Sequence, residues 1–310
     1  MAALGNPLSA AEVERFDRDG FLFPVRAANE ATAARNVAAF DEMERRDGKN
    51  NHFGIGPVPL YLSEQWAWQL ATSPTIIAAL RQLLGHDQSI FCIASHAFCK
   101  YPDEEKTDST AGPGAFVGWH QDLRFWGLEG PGHSVMGPHV VSAWTAIDDA
   151  DTGNGCMLAV SGSYRERNLQ HQKLKSWGGD ATSLTDPKVN GRDGRPIGLD
   201  GDPDRGVNML SQEQNIVLTE QQEKDLVPLE LSRGESVLFH GWTVHGSPPN
   251  TSSHRRAGIT IIYCTGTVEG AMASEGVLVA GDGVGANPRP VPPPFAFAGP
   301  EVVDQTAARL

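Results

Sequence analysis

His120 and Asp122 stand two residues apart in the stretch Phe116-Val117-Gly118-Trp119-His120-Gln121-Asp122, and His245 lies far downstream at the head of His245-Gly246-Ser247-Pro248. In an extended strand, residues i and i+2 point to one face, so imidazole and carboxylate can grip one ion from one side, with the distant histidine closing the third corner. Two imidazoles and one carboxylate on one face of an octahedron leave the opposite face open. That suits a non-heme Fe(II) centre that must also bind a co-substrate and O2. A His-x-Asp triplet alone is common, and its plain alternative is a polar strand end facing solvent.

Arg256 follows His245 at +11 and opens the run 256–265, which reads as a largely buried strand. A guanidinium entering such a strand needs an anionic partner. A dicarboxylate co-substrate held by a bidentate fork would supply one. A structural Arg–carboxylate pair, or an exposed strand entrance, would explain the residue equally well. Arg255, its strand neighbour, is expected on the opposite face.

The elements that must position these residues are a helical front and a β core. Ser9 and Glu12 form a capping box, and Gly20 stops the first helix. A second helix is expected over 31–46, and Ser73-Pro74 starts a third that Gly85 ends, with Ser73 as N-cap. From Ser89 the period changes: 89–101, 116–121, 140–147, 156–160, 225–231, 236–239 and 256–265 read as strands. With no long helices between them, they imply antiparallel pairing and two facing sheets. Residues 171–215 are polar, and a stretch this long is expected to be a mobile cover or a decoration. Residues 266–310 are rich in Gly, Ala and Pro and read as an unpaired extended tail, because proline forbids continued strand pairing.

These stretches resemble the phytanoyl-CoA dioxygenase family of Fe(II)/2-oxoglutarate oxygenases, in particular its bacterial small-molecule branch. The resemblance rests on Glu12 to Phe23 with its Asp19-Gly20-Phe21 step, Lys100-Tyr101-Pro102, Trp119-His120-Gln121-Asp122, Phe125-Trp126-Gly127-Leu128, and Ser142 to Asp149 with Asn154-Gly155-Cys156-Met157. It spans roughly residues 10–265. It implies a mainly β double-stranded β-helix (a jelly roll, cupin-like) with N-terminal helices packed on one sheet. Within one oxygenase domain over 1–310, it implies a helical part at 1–88, a core at 89–265 and a tail at 266–310.

The resemblance also implies roles. His120, Asp122 and His245 would hold Fe(II), with 2-oxoglutarate and O2 as co-substrates. Arg256 and Ser247 would meet the far carboxylate of 2-oxoglutarate, and Trp144 would line its pocket. His96 lies on a strand that lines the family's pocket, and either bonds co-substrate or substrate or is a satisfied core histidine. Trp119, Phe125 and Trp126 bracket the metal loop as substrate cover or core filling. Arg124 would meet a substrate anion or an acid of 171–215. His240 is the substitute should His245 not be the distal ligand. Halogenating members carry a small residue where Asp122 stands, so the carboxylate points to a hydroxylase, with desaturation or ring closure as other outcomes.

Composition limits the partners. A net charge of −13 argues against nucleic acid. No apolar run is long enough to span a bilayer, and Met1 to Arg15 lacks the apolar core of a secretory signal, so a cytoplasmic protein is expected. Cys92, Cys99, Cys156 and Cys264 lack zinc-site spacing and read as buried thiols. The substrate is expected to be a small molecule, either free or tethered to a carrier protein, with aminoalkylphosphonates included. The oligomeric state is left open. Two readings of another class stand beside the oxygenase: a non-catalytic jelly-roll binding module, and a cupin-type metal hydrolase or isomerase.

Overall fold

The computed structural model describes residues 7–48, 59–102, 117–123, 139–166, 169, 216–268 and 275–296. Its first two helices begin where their caps dictate. The Ser9 side chain accepts from the Glu12 amide while Glu12 reaches back to the Ser9 amide, starting α1 (Ala10–Asp19); Gly20 ends it in the left-handed region at φ 82°. Asn29 caps α2 (Glu30–Asp47) by accepting from the Thr32 amide. Two short helices absent from the sequence reading, α3 (Leu60–Ser63) and α4 (Gln65–Ala71), precede α5 (Pro74–Leu84). Pro74 occupies the first turn of α5 as expected, but Ser73 makes no cap bond. Its hydroxyl donates instead to the Ala27 carbonyl at 2.7 Å, a tertiary tie to the chain after the first strand.

The strands are β1 (Phe21–Arg26), β2 (Ile90–Lys100), β3 (Val117–His120), β4 (Val140–Ala146), β5 (Met157–Val160), β6 (Leu226–Leu229), β7 (Glu235–His240), β8 (His245–Ser247), β9 (Arg256–Thr265), β10 (Glu275–Ala280) and β11 (Arg289–Pro290). A short helix, α6 (Glu220–Lys224), leads into β6. Seven strands form one sheet in the order β1-β7-β4-β9-β2-β10-β11, and four form the other in the order β3-β8-β5-β6. Every pairing but β10 with β11 is antiparallel.

The period of two sorts the larger sheet's side chains between two cores. Leu238, Ile261 and Tyr263 face the helices, where Phe16, Phe40, Trp68 and Leu80 cover them. Their neighbours Trp144, Val237 and Phe239 face the smaller sheet and meet Met157 and Leu229. This is the double-stranded β-helix with N-terminal helices on one sheet. Each buried aromatic or aliphatic side chain contributes about 1.5–3 kcal/mol, so both layers are held mainly by apolar burial.

The tail reading needs correction. β10 pairs antiparallel with β2, with Val277 opposite Cys92, and Val277 and Val279 are buried. The prolines that argued against pairing fall after this strand, around β11, and Gly276 permits the close approach: a Cβ there would lie 3.1 Å from the Cys92 carbonyl oxygen. β1 likewise belongs to the larger sheet although it lies within 1–88, so strand pairing crosses both expected boundaries. Residues 171–215, Arg124, Phe125 and Trp126 lie outside the described residues. All four cysteines are buried and free. Among the described residues no helix is long and apolar enough to cross a membrane.

Candidate metal and co-substrate site

β3 and β8 pair so that His120 stands directly opposite His245, with a bulge between this pair and the Val117–Ser247 pair. The extra residue on β3 lets both Val117 and His120 face the inter-sheet cavity, although three positions separate them. The strand ends at His120, and Asp122 sits in the turn that follows rather than on the extended strand of the i, i+2 argument. That turn is pinned by the Leu123 amide, which donates to the Gly241 carbonyl at 3.0 Å.

His120, Asp122 and His245 are all buried, and one ligand atom from each lies within 4.8 Å of the others. Oδ1 of Asp122 is 3.4 Å from His120 Nε2 and 3.6 Å from His245 Nε2. Metal bonds of about 2.1 Å at right angles would put neighbouring donors about 3 Å apart, so a small closure makes this a facial site. The donor chemistry also fits. His120 Nδ1 donates to the Gly118 carbonyl at 2.7 Å and His245 Nδ1 to the Thr243 carbonyl at 3.0 Å. A carbonyl only accepts, so each ring keeps a hydrogen on Nδ1 and turns Nε2, the atom that would bind a metal, towards Asp122. Burial, with His120 alongside, lowers the His245 pKa to about 4, so that ring is neutral at pH 7. Burial alone would raise the Asp122 carboxyl; attraction to His245 and His120 whenever a ring carries a second proton, with the Ser142 hydroxyl, offsets it and holds it below its ordinary value. Two lone pairs and a carboxylate around one point attract a cation.

Arg256 enters the same cavity from β9, fully buried. Its Nε and a terminal nitrogen donate to the Gly155 carbonyl at 3.2 and 3.0 Å, and its guanidinium lies 4.8 Å from the Trp144 ring centroid. Among the described residues no carboxylate pairs with it, and burial lowers its pKa to about 10. Arg255 turns to the other face as expected and bonds Asp148, Asp41 and Glu44.

Ser247, Trp144 and His96 also line the cavity. Trp119 does not: it packs beside Val160, Ile216 and Val244. His240 stays out of the triad. It takes the Trp242 amide on Nδ1 and its ring lies 5.1 Å from that of Tyr164.

Lys100 was missed as a site residue. It is fully buried, lines the cavity opposite Arg256 in the β2–β9 register and donates from Nζ to the Pro248 carbonyl. Its parity with His96 on one strand was the available signal. Ser142, which donates to Oδ2 of Asp122 at 3.1 Å, carried no signal at all.

The family model described as Phytanoyl-CoA dioxygenase (PhyH) matches residues 2–258. The chain is 30% identical over 159 residues to phytanoyl-CoA dioxygenase domain-containing protein 1 of Mus musculus, a match covering 50% of this chain and 42% of that protein. It is 29% identical over 171 residues to the ectoine dioxygenase of Halomonas elongata, covering 51% of this chain and 47% of that enzyme. These matches thus span about half the length of the relatives. The solved apo structure of the non-heme monooxygenase ThoJ superposes with a TM-score of 0.64 at 23% identity, over 92% of this chain and 89% of the other, and shows the same fold.

Proposed function

Because the chain belongs to the phytanoyl-CoA dioxygenase family, we propose that it is an Fe(II)/2-oxoglutarate-dependent dioxygenase that hydroxylates an unactivated C–H bond of a small molecule. The observation that carries the reading is Arg256: a buried guanidinium without a carboxylate partner among the described residues, in the same cavity as three converging metal donors. An unpaired buried charge is costly, so the site is built for a ligand anion.

In this reading His120, Asp122 and His245 would hold the iron. Bound Fe(II), with 2-oxoglutarate and O2, supplies an oxidant strong enough to cleave a C–H bond, with release of succinate and CO2. Arg256 takes the far carboxylate of 2-oxoglutarate in a fork, and the Ser247 hydroxyl is a second donor. Trp144 holds the guanidinium from one side and, with Phe239, keeps water from the co-substrate. Asp122 fills the position that a halide would need, which favours oxygen transfer over halogenation. Trp119, Arg124, Phe125 and Trp126 remain proposed substrate contacts; for Trp119 the packing favours a supporting role. His96 faces the co-substrate or the substrate from the sheet floor.

The test is an anaerobic titration of the metal-free protein with Fe(II) and then 2-oxoglutarate. A weak visible charge-transfer band that needs both supports the dioxygenase. Its absence overturns it in favour of a binding module or a metal hydrolase. A substrate screen scored by succinate release then separates free from carrier-tethered substrates, and its products separate hydroxylation from desaturation or cyclisation.

A further inference from the structure

Gln121 lies between two of the three proposed ligands, and its side chain is fully buried although it is an amide. A buried amide requires partners for two donors and an acceptor. Here all are met by main chain. Nε2 donates to the Trp242 carbonyl and the Glu166 carbonyl, both at 2.8 Å, and Oε1 accepts from the Leu169 amide at 3.0 Å.

Those partners belong to different arms of the site. Trp242 lies in the turn between β7 and β8, three residues before His245, and the next residue, Thr243, holds His245 through its carbonyl. The corner after β3 docks on this same turn a second time, through Leu123 and Gly241. On the other side, Glu166 and Leu169 follow the short turn at Ser163–Arg165. That turn is itself fixed to the approach to β8: Ser163 Oγ accepts from the Val244 amide and donates to the Val160 carbonyl. One side chain therefore bolts the corner carrying His120 and Asp122 to the turn delivering His245. An apolar residue of the same size would fill the space but leave three part-buried main-chain groups without this partner.

We propose that Gln121 is a positioning residue that sets the separation of the two arms of the triad and hence its metal affinity. The proposal rests on reading the triad as a metal site. Ligand distances must hold to about 0.2 Å, so a small shift of one arm is felt directly as lost affinity.

The test is an anaerobic Co(II) titration of the metal-free chain, followed by the visible d–d absorption, alongside thermal melting. Gln121→Leu is expected to weaken Co(II) binding about 10–100-fold and to change the band, as partners behind metal ligands commonly do. Gln222→Leu is the control for lost stability. It removes a bond to the Glu166 side chain and the half of the α6 capping box that Gln222 makes to the Thr219 amide, while sparing every bond of Gln121, and should lower the melting temperature with Co(II) affinity unchanged. Should Gln121→Leu fail to melt cooperatively, Gln121→Glu, which keeps the acceptor for Leu169 and loses both donated bonds, is read by the same titration and should show the same loss. A folded Gln121 variant with the wild-type affinity and band overturns the proposal alone. A wild-type chain that takes up no Co(II) overturns the metal reading and this proposal with it.

Discussion

The Ser142 hydroxyl donates to Oδ2 of Asp122 at 3.1 Å, from β4 on the opposite sheet, and so leaves Oδ1 as the oxygen that faces both histidines. The carboxylate cannot rotate without breaking this bond, which favours one-oxygen coordination. Ser142→Ala should weaken Co(II) or Fe(II) binding by about tenfold, within the range for partners of metal ligands. Equilibrium titration of the metal-free protein checks it; an unchanged affinity would make the bond incidental.

The ligands themselves give the sharpest outcome. His120→Ala, Asp122→Ala and His245→Ala should each abolish metal-dependent succinate formation while the far-ultraviolet spectrum stays that of the wild type. Asp122→Gly should be inactive rather than halogenating, because the pocket still aims its substrate for oxygen transfer. Mass analysis of products in chloride buffer would reveal the contrary.

Arg255 and Arg256 should separate cleanly by readout. In the proposed reading Arg256→Ala would remove one partner of a buried charge pair with 2-oxoglutarate, a loss of about 2–5 kcal/mol, so the KM for 2-oxoglutarate should rise at least thirtyfold. Arg255→Ala should leave that KM nearly unchanged. It should instead lower stability by about 1–3 kcal/mol, because it strips the hydrogen-bonded partner from Asp148 and Glu44. Denaturant melts and co-substrate saturation curves on both variants decide it; if the effects exchange, the assignment of faces is wrong.

Gly258 makes room for the indole that supports Arg256. A Cβ built there would overlap the Trp144 ring at Cζ2, Cε2 and Cη2. Gly258→Ala should therefore push Trp144 away from the guanidinium and raise the KM for 2-oxoglutarate about tenfold, in line with a desolvated cation–π contact of 1–2 kcal/mol. Metal affinity should not change, since Trp144 contributes no ligand. A parallel loss of metal binding would show that the damage spreads beyond the co-substrate end.

Much of this site was legible because its chemistry uses rare residue types at telling positions. His120, Asp122, His245 and Arg256 stood out by charge and spacing, and the structure brings all four to one cavity. The strands with runs of Val, Ile and aromatic residues were equally readable, as β9 shows, since a near-continuous apolar run rich in β-branched side chains marks a strand buried on both faces. β8 was not readable. It has three residues, His-Gly-Ser, and is a strand only because β3 and β5 flank it. Lys100 was hidden by the habit of placing lysines outside, which fails where a cavity needs cations. Ser142 reaches across the fold through one hydrogen bond and Gln121 through three, and no local pattern announces such pairings.

β2, which contributes Lys100 and His96 to the cavity wall, is an interior strand only because β10 lies along its flank. Trp68 then straps the chain beyond β11 to the helical layer, its indole nitrogen donating to the Ala296 carbonyl at 2.8 Å. A chain cut before Glu275 would expose the bare amides and carbonyls of Ile90 to Cys92, a template on which a second molecule could add its own strand. Such a truncation should show itself first as self-association, ahead of any loss of iron binding. An affinity handle appended to the C-terminus should be harmless by comparison, because it leaves this guard strand in place.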